Sequence, residues 1–150
     1  MSKTDVGFLG GMERSARELV EEGFRRLAAG DACVIDELIA EDFVNHAAGP
    51  QGREGWRQIL AMIKNDLGDD SWTENHRFVG EGDLVPHHMT IHGVHRASTM
   101  PMLQGIPPTG REVHWTYIHI WRVAGGQLVE HWACRDDVGL LAQMGAWPRM

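Results

Sequence analysis

The sequence predicts one α+β domain in which N-terminal helices pack on a strongly curved antiparallel sheet and enclose a pocket. Two patterns predict this class. Apolar residues recur at helical spacing up to about residue 65, and period-two alternation with turn residues replaces that spacing from residue 72 onward. A length of 150 residues suits a single domain, over 1–150. We expect the curved sheet to form a cone-shaped barrel with an opening.

Three helices and one extended segment are predicted ahead of the sheet. The first helix ends before Gly30, which suits a C-terminal cap, and Asp31 can cap the second. The third helix follows a glycine- and proline-containing turn. The helices are predicted at 12–29, at 32–39 and from about 52 to 66–70, and the extended segment at 41–46.

Four long strands are predicted after the helices, with glycine-rich hairpin turns at 80–83 and 124–127. The loop at 97–110 contains three prolines and could cover a pocket. Asp136 or Asp137 can cap a short final helix that runs through Met144. The strands are predicted at 72–78, 84–96, 112–123 and 127–135.

Composition disfavours several classes of partner. The net charge of −7 would repel nucleic acid and anionic lipid. No apolar run approaches the roughly 18 residues of a spanning helix, and no signal-type segment is visible, so we expect no membrane and a cytoplasmic protein. Cys33 and Cys134 belong to no closely spaced ligand motif and are predicted to be buried thiols.

Motifs for nucleotide binding and covalent catalysis are missing from the sequence, which contains no Gly-x-Ser-x-Gly, Gly-x-x-x-x-Gly-Lys or Gly-x-Gly-x-x-Gly. Covalent catalysis and nucleotide use therefore lose their usual sequence signals. His88 and His92 share one face of a strand, but about 13 Å separates them, so one ion cannot bind both directly. We expect no metal, although a site assembled across strands stays open, and we count both histidines as substrate-binding candidates.

Proton transfer is the chemistry that the histidines favour, because a neutral imidazole can act as acid or base near pH 7. His119 and His131 lie in the middle of two adjacent strands. A two-residue turn would place His119 opposite Trp132 and turn His131 to the other face. A three-residue turn with a glycine bulge would place the two histidines opposite each other, and we prefer this register. A structural role in a wet core is the alternative for each.

Other polar residues have structural interpretations. Asp136 stands at a strand-to-helix junction, where a helix cap is more common than a catalyst. Four further histidines are predicted at the surface or the pocket rim: His76, His87, His95 and His114.

Three segments in this order resemble the SnoaL-like polyketide cyclases and their ester-cyclase relatives, within the nuclear-transport-factor-2-like superfamily. They are IDELIAEDFVNH at 35–46, GIPPTGR at 105–111 and GQLVEHW at 126–132. The resemblance implies a cone-shaped α+β barrel, a homodimer or larger homo-oligomer, and a cavity for a hydrophobic substrate. It also implies aldol ring closure of an aromatic polyketide ester without cofactor or metal.

The resemblance transfers residue by residue only in part. Asn45 matches the polar pocket residue of the family, and His119 matches its pocket histidine. The acid/base aspartate of the family falls on Ala133, and Asp136 matches a second aspartate. The proton-transfer role would then move to His119, His131 or Asp136, or be absent.

The leading hypothesis is an enzyme of secondary metabolism in which His119 is the acid/base and His131 orients it. Asn45 and Tyr117 would donate hydrogen bonds to a substrate carbonyl, and His46 and Trp115 would complete the binding site. The alternatives are cofactor-independent hydroxylation, isomerisation or epoxide hydrolysis, and a non-catalytic domain that only binds a small molecule.

Overall fold

The computed structural model describes residues 14–148, which form four α-helices and five strands. The helices are α1 (Ala16–Ala28), α2 (Val34–Leu38), α3 (Gly52–Leu67) and α4 (Asp137–Gln143). The strands are β1 (Ile39–Asn45), β2 (Trp72–Phe78), β3 (Leu84–Val94), β4 (Glu112–Ala124) and β5 (Gln127–Arg135). The α+β class and the order of the elements are as the sequence predicts.

The strands form one mixed sheet in the order β1-β5-β4-β3-β2. The sheet is curved, as predicted, but it does not close into a barrel. The four predicted strands pair antiparallel, as expected, and the segment predicted only as extended forms β1, which runs parallel to β5 and makes the sheet mixed. A parallel pair needs a long connection, which α3 and three strands supply here.

Local signals place the ends of the helices. Ser15 caps α1, since its hydroxyl accepts from the backbone N–H of Glu18 at 3.2 Å. Residues 12 and 13 of the predicted first helix lie outside the described residues. Asp136 caps α4, where its carboxylate accepts from the backbone N–H of Gly139 at 2.9 Å. This contact confirms the structural interpretation of Asp136 as a helix cap.

The hairpin between β4 and β5 has neither of the two predicted registers. A two-residue turn at Gly125 and Gly126, both with positive φ, pairs Ala124 with Gln127. The pairing then shifts by one residue, because Arg122 pairs with Glu130 and leaves Val129 as the extra residue of a bulge. Beyond the bulge His131 faces the same side as His119, so the expected grouping of the two histidines is correct although the expected turn is wrong.

Two apolar clusters fill the concave face of the sheet. One joins the helices α1, α2 and α3 to buried residues that include Phe43, Trp56 and Trp121. The other, at the opposite end, joins α4 and the loop at 97–110 to Trp115 and its neighbours. A cavity lies between the helices and the sheet, next to both clusters.

The loop at 97–110 does not line the cavity, so the option that it covers the pocket is not realised. Its buried Met100 and Leu103 pack in the second cluster instead. Asp66, which is fully buried, holds the loop by accepting from the backbone N–H of Met100 at 2.7 Å and of Thr99 at 2.9 Å. These hydrogen bonds keep the pKa of Asp66 below its usual value although burial raises it.

Both cysteines are exposed free thiols, so the prediction of buried thiols is wrong. Cys134 follows Ala133, which faces the cavity, and strand alternation turns it to the convex face. Cys33 directly precedes α2 at an exposed position. Within residues 14–148, the helices are too short or too polar to cross a membrane.

Candidate functional site

The cavity has a volume of about 410 Å³ and is mainly apolar. Its walls come from α1, α3 and the concave face of the sheet, with Leu27, Trp56, Ile59, Met89 and Ile91 among the apolar residues. The polar residues that line it include Asn45, Asn75, Tyr117, His119, His131 and Arg135. Among the lining residues there is no carboxylate. An apolar pocket with a few convergent polar groups is typical of a small-molecule site.

His119 and His131 form the centre of the site. Nδ1 of His119 lies 2.6 Å from Nε2 of His131, and Nδ1 of His131 lies 2.9 Å from Oδ1 of Asn45. The backbone N–H of Ala47 donates to the same amide oxygen at 3.0 Å. Both rings are buried, between Tyr117 and Trp121 for His119 and beside Trp121 for His131.

These contacts fix where the protons lie. The backbone donor of Ala47 identifies the amide atom of Asn45 as oxygen, so Nδ1 of His131 carries a proton and donates to it. Nε2 of a neutral His131 then has only a lone pair and accepts from Nδ1–H of His119. Nε2 of His119 is left as an unprotonated nitrogen, and it is buried with no hydrogen-bond partner among residues 14–148.

Burial keeps both imidazoles neutral. It lowers the pKa of His131 to about 4, and the nearby His46 adds to this lowering. The pKa of His119 lies well below its usual value, first because of burial and then because a charge on His131 or His87 would repel a charge on His119. His119 is therefore in its basic form at pH 7.

A second chain of hydrogen bonds ends at the same cavity. Nε1–H of Trp121 donates to Nδ1 of His87 at 3.4 Å. Since the indole nitrogen can only donate, the proton of a neutral His87 is on Nε2, which donates to Oδ1 of Asn75 at 2.7 Å. His87 is fully buried, and burial lowers its pKa to about 3.

Tyr117 and Arg135 also line the cavity, and Tyr117 stacks on His119. Burial raises the pKa of Tyr117, so its phenol is protonated and can donate. Arg135 donates to Asp137 at 3.0 Å and lies over the ring of Trp115 at 5.3 Å from its centroid. Its charge is thus paired with that of Asp137.

Four of the predicted site residues line the cavity: Asn45, Tyr117, His119 and His131. His88 and His92 do not, because the odd-numbered residues of β3 face the cavity and both histidines lie on the convex face. His92 contacts Glu74 and His114 there. His88 and His92 therefore do not lie where the expected role in substrate binding would place them.

Three other predicted residues lie outside the cavity lining. His46 is at the surface, where it contacts Glu130 at 3.0 Å and stacks on Trp132. Trp115 is buried on the concave face but its indole N–H donates to Asp137, within the second cluster. Asp136 caps α4 and is exposed, which leaves it no catalytic position.

The positions of His87, His95 and Asn75 differ from what the sequence indicates. His87 and His95 are fully buried rather than at the surface or rim. Asn75 lines the cavity without any sequence prediction for it. The signal for His87 was present, because it shares its strand face with the apolar Val85, Met89 and Ile91. The described part of the chain contains no group of three or more His, Cys, Asp or Glu residues arranged to hold a metal ion.

Comparison with known proteins gives the family. The family model for SnoaL-like polyketide cyclases matches residues 17–144. Nogalonic acid methyl ester cyclase from Streptomyces nogalater is 26% identical over 119 residues, which cover 76% of this chain and 86% of that protein.

Solved structures agree with that assignment. TsrD from Streptomyces laurentii has a TM-score of 0.75 and 25% identity, covering 91% of this chain and 99% of its own. IdmH from Streptomyces antibioticus, a candidate polyketide cyclase, has a TM-score of 0.69 and 30% identity, covering 88% of this chain and 99% of its own. The chain belongs to the SnoaL-like polyketide cyclase family.

Proposed function

We propose that this protein is a cofactor-independent cyclase that removes a proton next to a carbonyl of a hydrophobic aromatic or polycyclic ketone or ester. The observation that carries the proposal is that His119 lines an apolar cavity and that its unprotonated Nε2 is buried with no partner among the described residues. A carbon flanked by carbonyls is already acidic, so one positioned base in a water-poor pocket can suffice.

In the proposed reaction one proton leaves the substrate and later returns to it. Nε2 of His119 takes the proton from the carbon between two carbonyls, and the electron pair of that C–H bond forms an enolate. The enolate carbon attacks a second carbonyl of the same molecule, which closes a ring and leaves an alkoxide. His119 returns its proton to the alkoxide, so the base and the acid are the same atom and no cofactor is consumed.

His131 and Asn45 act as positioning residues in this proposal. His131 holds the proton of His119 on Nδ1, which directs the basic nitrogen Nε2 away from His131. When His119 gains a proton, the 2.6 Å contact lets His131 share the positive charge. Asn45 fixes the orientation of His131 through its amide oxygen.

The departure at Ala133 fits the same arrangement. Ala133 pairs with His119 across the strands and lines the cavity. The position that carries the family aspartate therefore lies beside the proposed base, and its small side chain leaves space for substrate. The relative that cyclises nogalonic acid methyl ester supports ring closure as the reaction type.

The test is turnover of aromatic polyketide methyl esters by the wild type, His119→Gln and the convex-face control His88→Gln. We expect His119→Gln to lower kcat/KM by roughly 10²- to 10⁴-fold, because general base catalysis supplies about that factor. His88→Gln should keep the wild-type rate. Equal turnover by wild type and His119→Gln would overturn the proposal, and binding without any product would favour a non-catalytic binding domain.

A further inference from the structure

Asn75 presents a hydrogen-bond donor that the proposed function does not use. Its side chain lines the cavity, and its amide oxygen is occupied by Nε2–H of His87 at 2.7 Å. The amide nitrogen has no hydrogen-bond partner in the described range. This nitrogen is accessible, because it has no partner and yet is not among the buried atoms that lack one.

The orientation of this amide is determined by residues behind it. If the amide of Asn75 were reversed, its nitrogen would face Nε2 of His87, and His87 would have to carry its proton on Nδ1. Nδ1 already faces the indole N–H of Trp121, which can only donate. Two donors would then oppose each other, so the observed orientation is the one that the buried residues select.

His87 is held in place by aromatic rings packed against it, among them Phe24 and Phe78. It is fully buried and stacks on Phe78 with ring centroids 4.1 Å apart. Its ring stacks near that of His119 on the adjacent strand, with centroids 5.6 Å apart and planes inclined by 28°. The two hydrogen-bonded chains therefore reach one cavity from neighbouring strands, one ending in a base and the other in a donor.

We propose that Asn75 donates a hydrogen bond from its amide nitrogen to the substrate oxygen that becomes the enolate, with His87 and Trp121 as its positioning residues. The ligand class is a flat hydrophobic molecule with an enolate or phenolate oxygen. This inference rests on the proposed function for its role in catalysis, but the donor site exists independently of turnover. A pre-positioned donor of this kind is worth roughly 10²- to 10³-fold in rate.

The test uses two ligands that differ by one oxygen. At about pH 7.5 the probe 4-nitro-1-naphthol is a phenolate and imitates the enolate, while 1-nitronaphthalene lacks the oxygen. Binding is measured by calorimetry on the wild type, Asn75→Ala and Asn75→Leu. We expect both variants to bind the phenolate about tenfold or more weakly, since a hydrogen bond to a charged group is lost, and to bind 1-nitronaphthalene as the wild type does.

The absorption band of the bound phenolate gives a second readout, which a purely structural role would not move. Loss of a donor to the phenolate oxygen should shift the band to longer wavelength in both Asn75 variants. His87→Leu should have the same effect on affinity and absorption, whereas His87→Gln, which keeps a donor near the position of Nε2, should retain most of the wild-type behaviour.

Equal phenolate binding by the wild type and the Asn75 variants would overturn the inference, and so would an equal loss of affinity for both ligands. Wild-type phenolate binding by His87→Leu would overturn the positioning role of His87. None of these measurements needs turnover. If His119→Gln proves harmless while the Asn75 effect stands, the base has been wrongly assigned and the donor site remains.

Discussion

Histidines lie on both faces of the sheet, buried on the concave face and near the surface on the convex face. On the concave face, His87, His119 and His131 are buried, and each ring nitrogen except Nε2 of His119 faces a defined partner within the described residues. On the convex face, His76, His88, His92 and His114 lie near the surface. His92 contacts Glu74 and His114 at 2.7 Å, and His76 contacts Thr90 at 2.7 Å.

The difference shows that strand position, rather than the abundance of histidine, decides which rings can do chemistry. His87 and His88 are neighbours in sequence, yet the first is fully buried and the second lies on the convex face. Burial removes the charged form of the inner rings, and the buried donors then fix the tautomer of each. A convex-face ring has water as an alternative partner, so its tautomer is not fixed in the same way.

The largest effect that separates the two faces is expected at His131. His131→Leu removes the acceptor that holds the proton of His119 on Nδ1, so the basic nitrogen would no longer be defined. We expect kcat to fall by about 10²-fold or more while the KM for the methyl ester changes little. The convex-face variant His92→Leu is the matched control, and an equal loss in both variants would contradict the distinction between the faces.

The second effect is a loss of stability in acid. The folded-state pKa values of His131, about 4, and His87, about 3, lie below the ordinary value of 6.5, so below pH 6.5 the unfolded chain binds more protons. Stability is therefore complete above about pH 7 and falls as the pH drops. Each of these histidines contributes a loss of about 1.4 kcal/mol per pH unit between about pH 6 and 4.5.

Urea unfolding at about pH 7.5, 6.0 and 5.0 measures this dependence. In His131→Asn and His87→Asn the slope should be smaller, because one such histidine is gone in each. A wild-type free energy of unfolding that does not change over this range would show that the inner histidines are not held neutral by the fold.

A third effect distinguishes two neighbouring residues of β5. Ala133→Asp places a carboxylate beside His119, where it stabilises the protonated ring and raises its pKa by about one to three units. The acid limb of the kcat/KM profile should move to higher pH by about that amount. Cys134→Asp puts the same charge on the convex face and should leave the profile in place, and a shift of similar size in both would argue against His119 as the titrating base.

The smallest effect concerns the thiols. Cys33 and Cys134 are exposed, so both should react with a thiol reagent in the native protein at comparable rates. Cys134→Ser should change the free energy of unfolding by about 0.5 kcal/mol or less, as is usual for surface positions. Reaction of the thiols only after unfolding would contradict their exposure.

Much of the fold follows from local patterns. The spacing of apolar residues gives α1 and α3, and alternation gives β2 and β5 with the bounds that the structure has. The parallel pairing of β1 with β5 could not be predicted this way, because it depends on where a seven-residue strand meets a distant partner. The bulge at Val129 is equally non-local, and without it His131 would face the convex side.

Four of the residues that line the cavity could be predicted from the sequence, and Asn75 could not. Asn45, Tyr117, His119 and His131 line the cavity as expected, since each lies on an apolar strand face or matches a family position. Asn75 carries no sequence signal of its own, because its role depends on His87 and Trp121, which reach it from other strands. Hydrogen-bonded chains that cross three strands become visible only in three dimensions.

The proposed mechanism depends on which nitrogen of His119 carries the proton, and ¹⁵N NMR of the imidazole nitrogens measures this. At about pH 7 we expect neutral rings with the proton on Nδ1 for His119 and His131 and on Nε2 for His87. His119→Gln and His87→Gln assign the signals by their disappearance. A spectrum in which His119 is protonated on Nε2, or is charged at this pH, would contradict the account, because no basic nitrogen would then be available to the substrate.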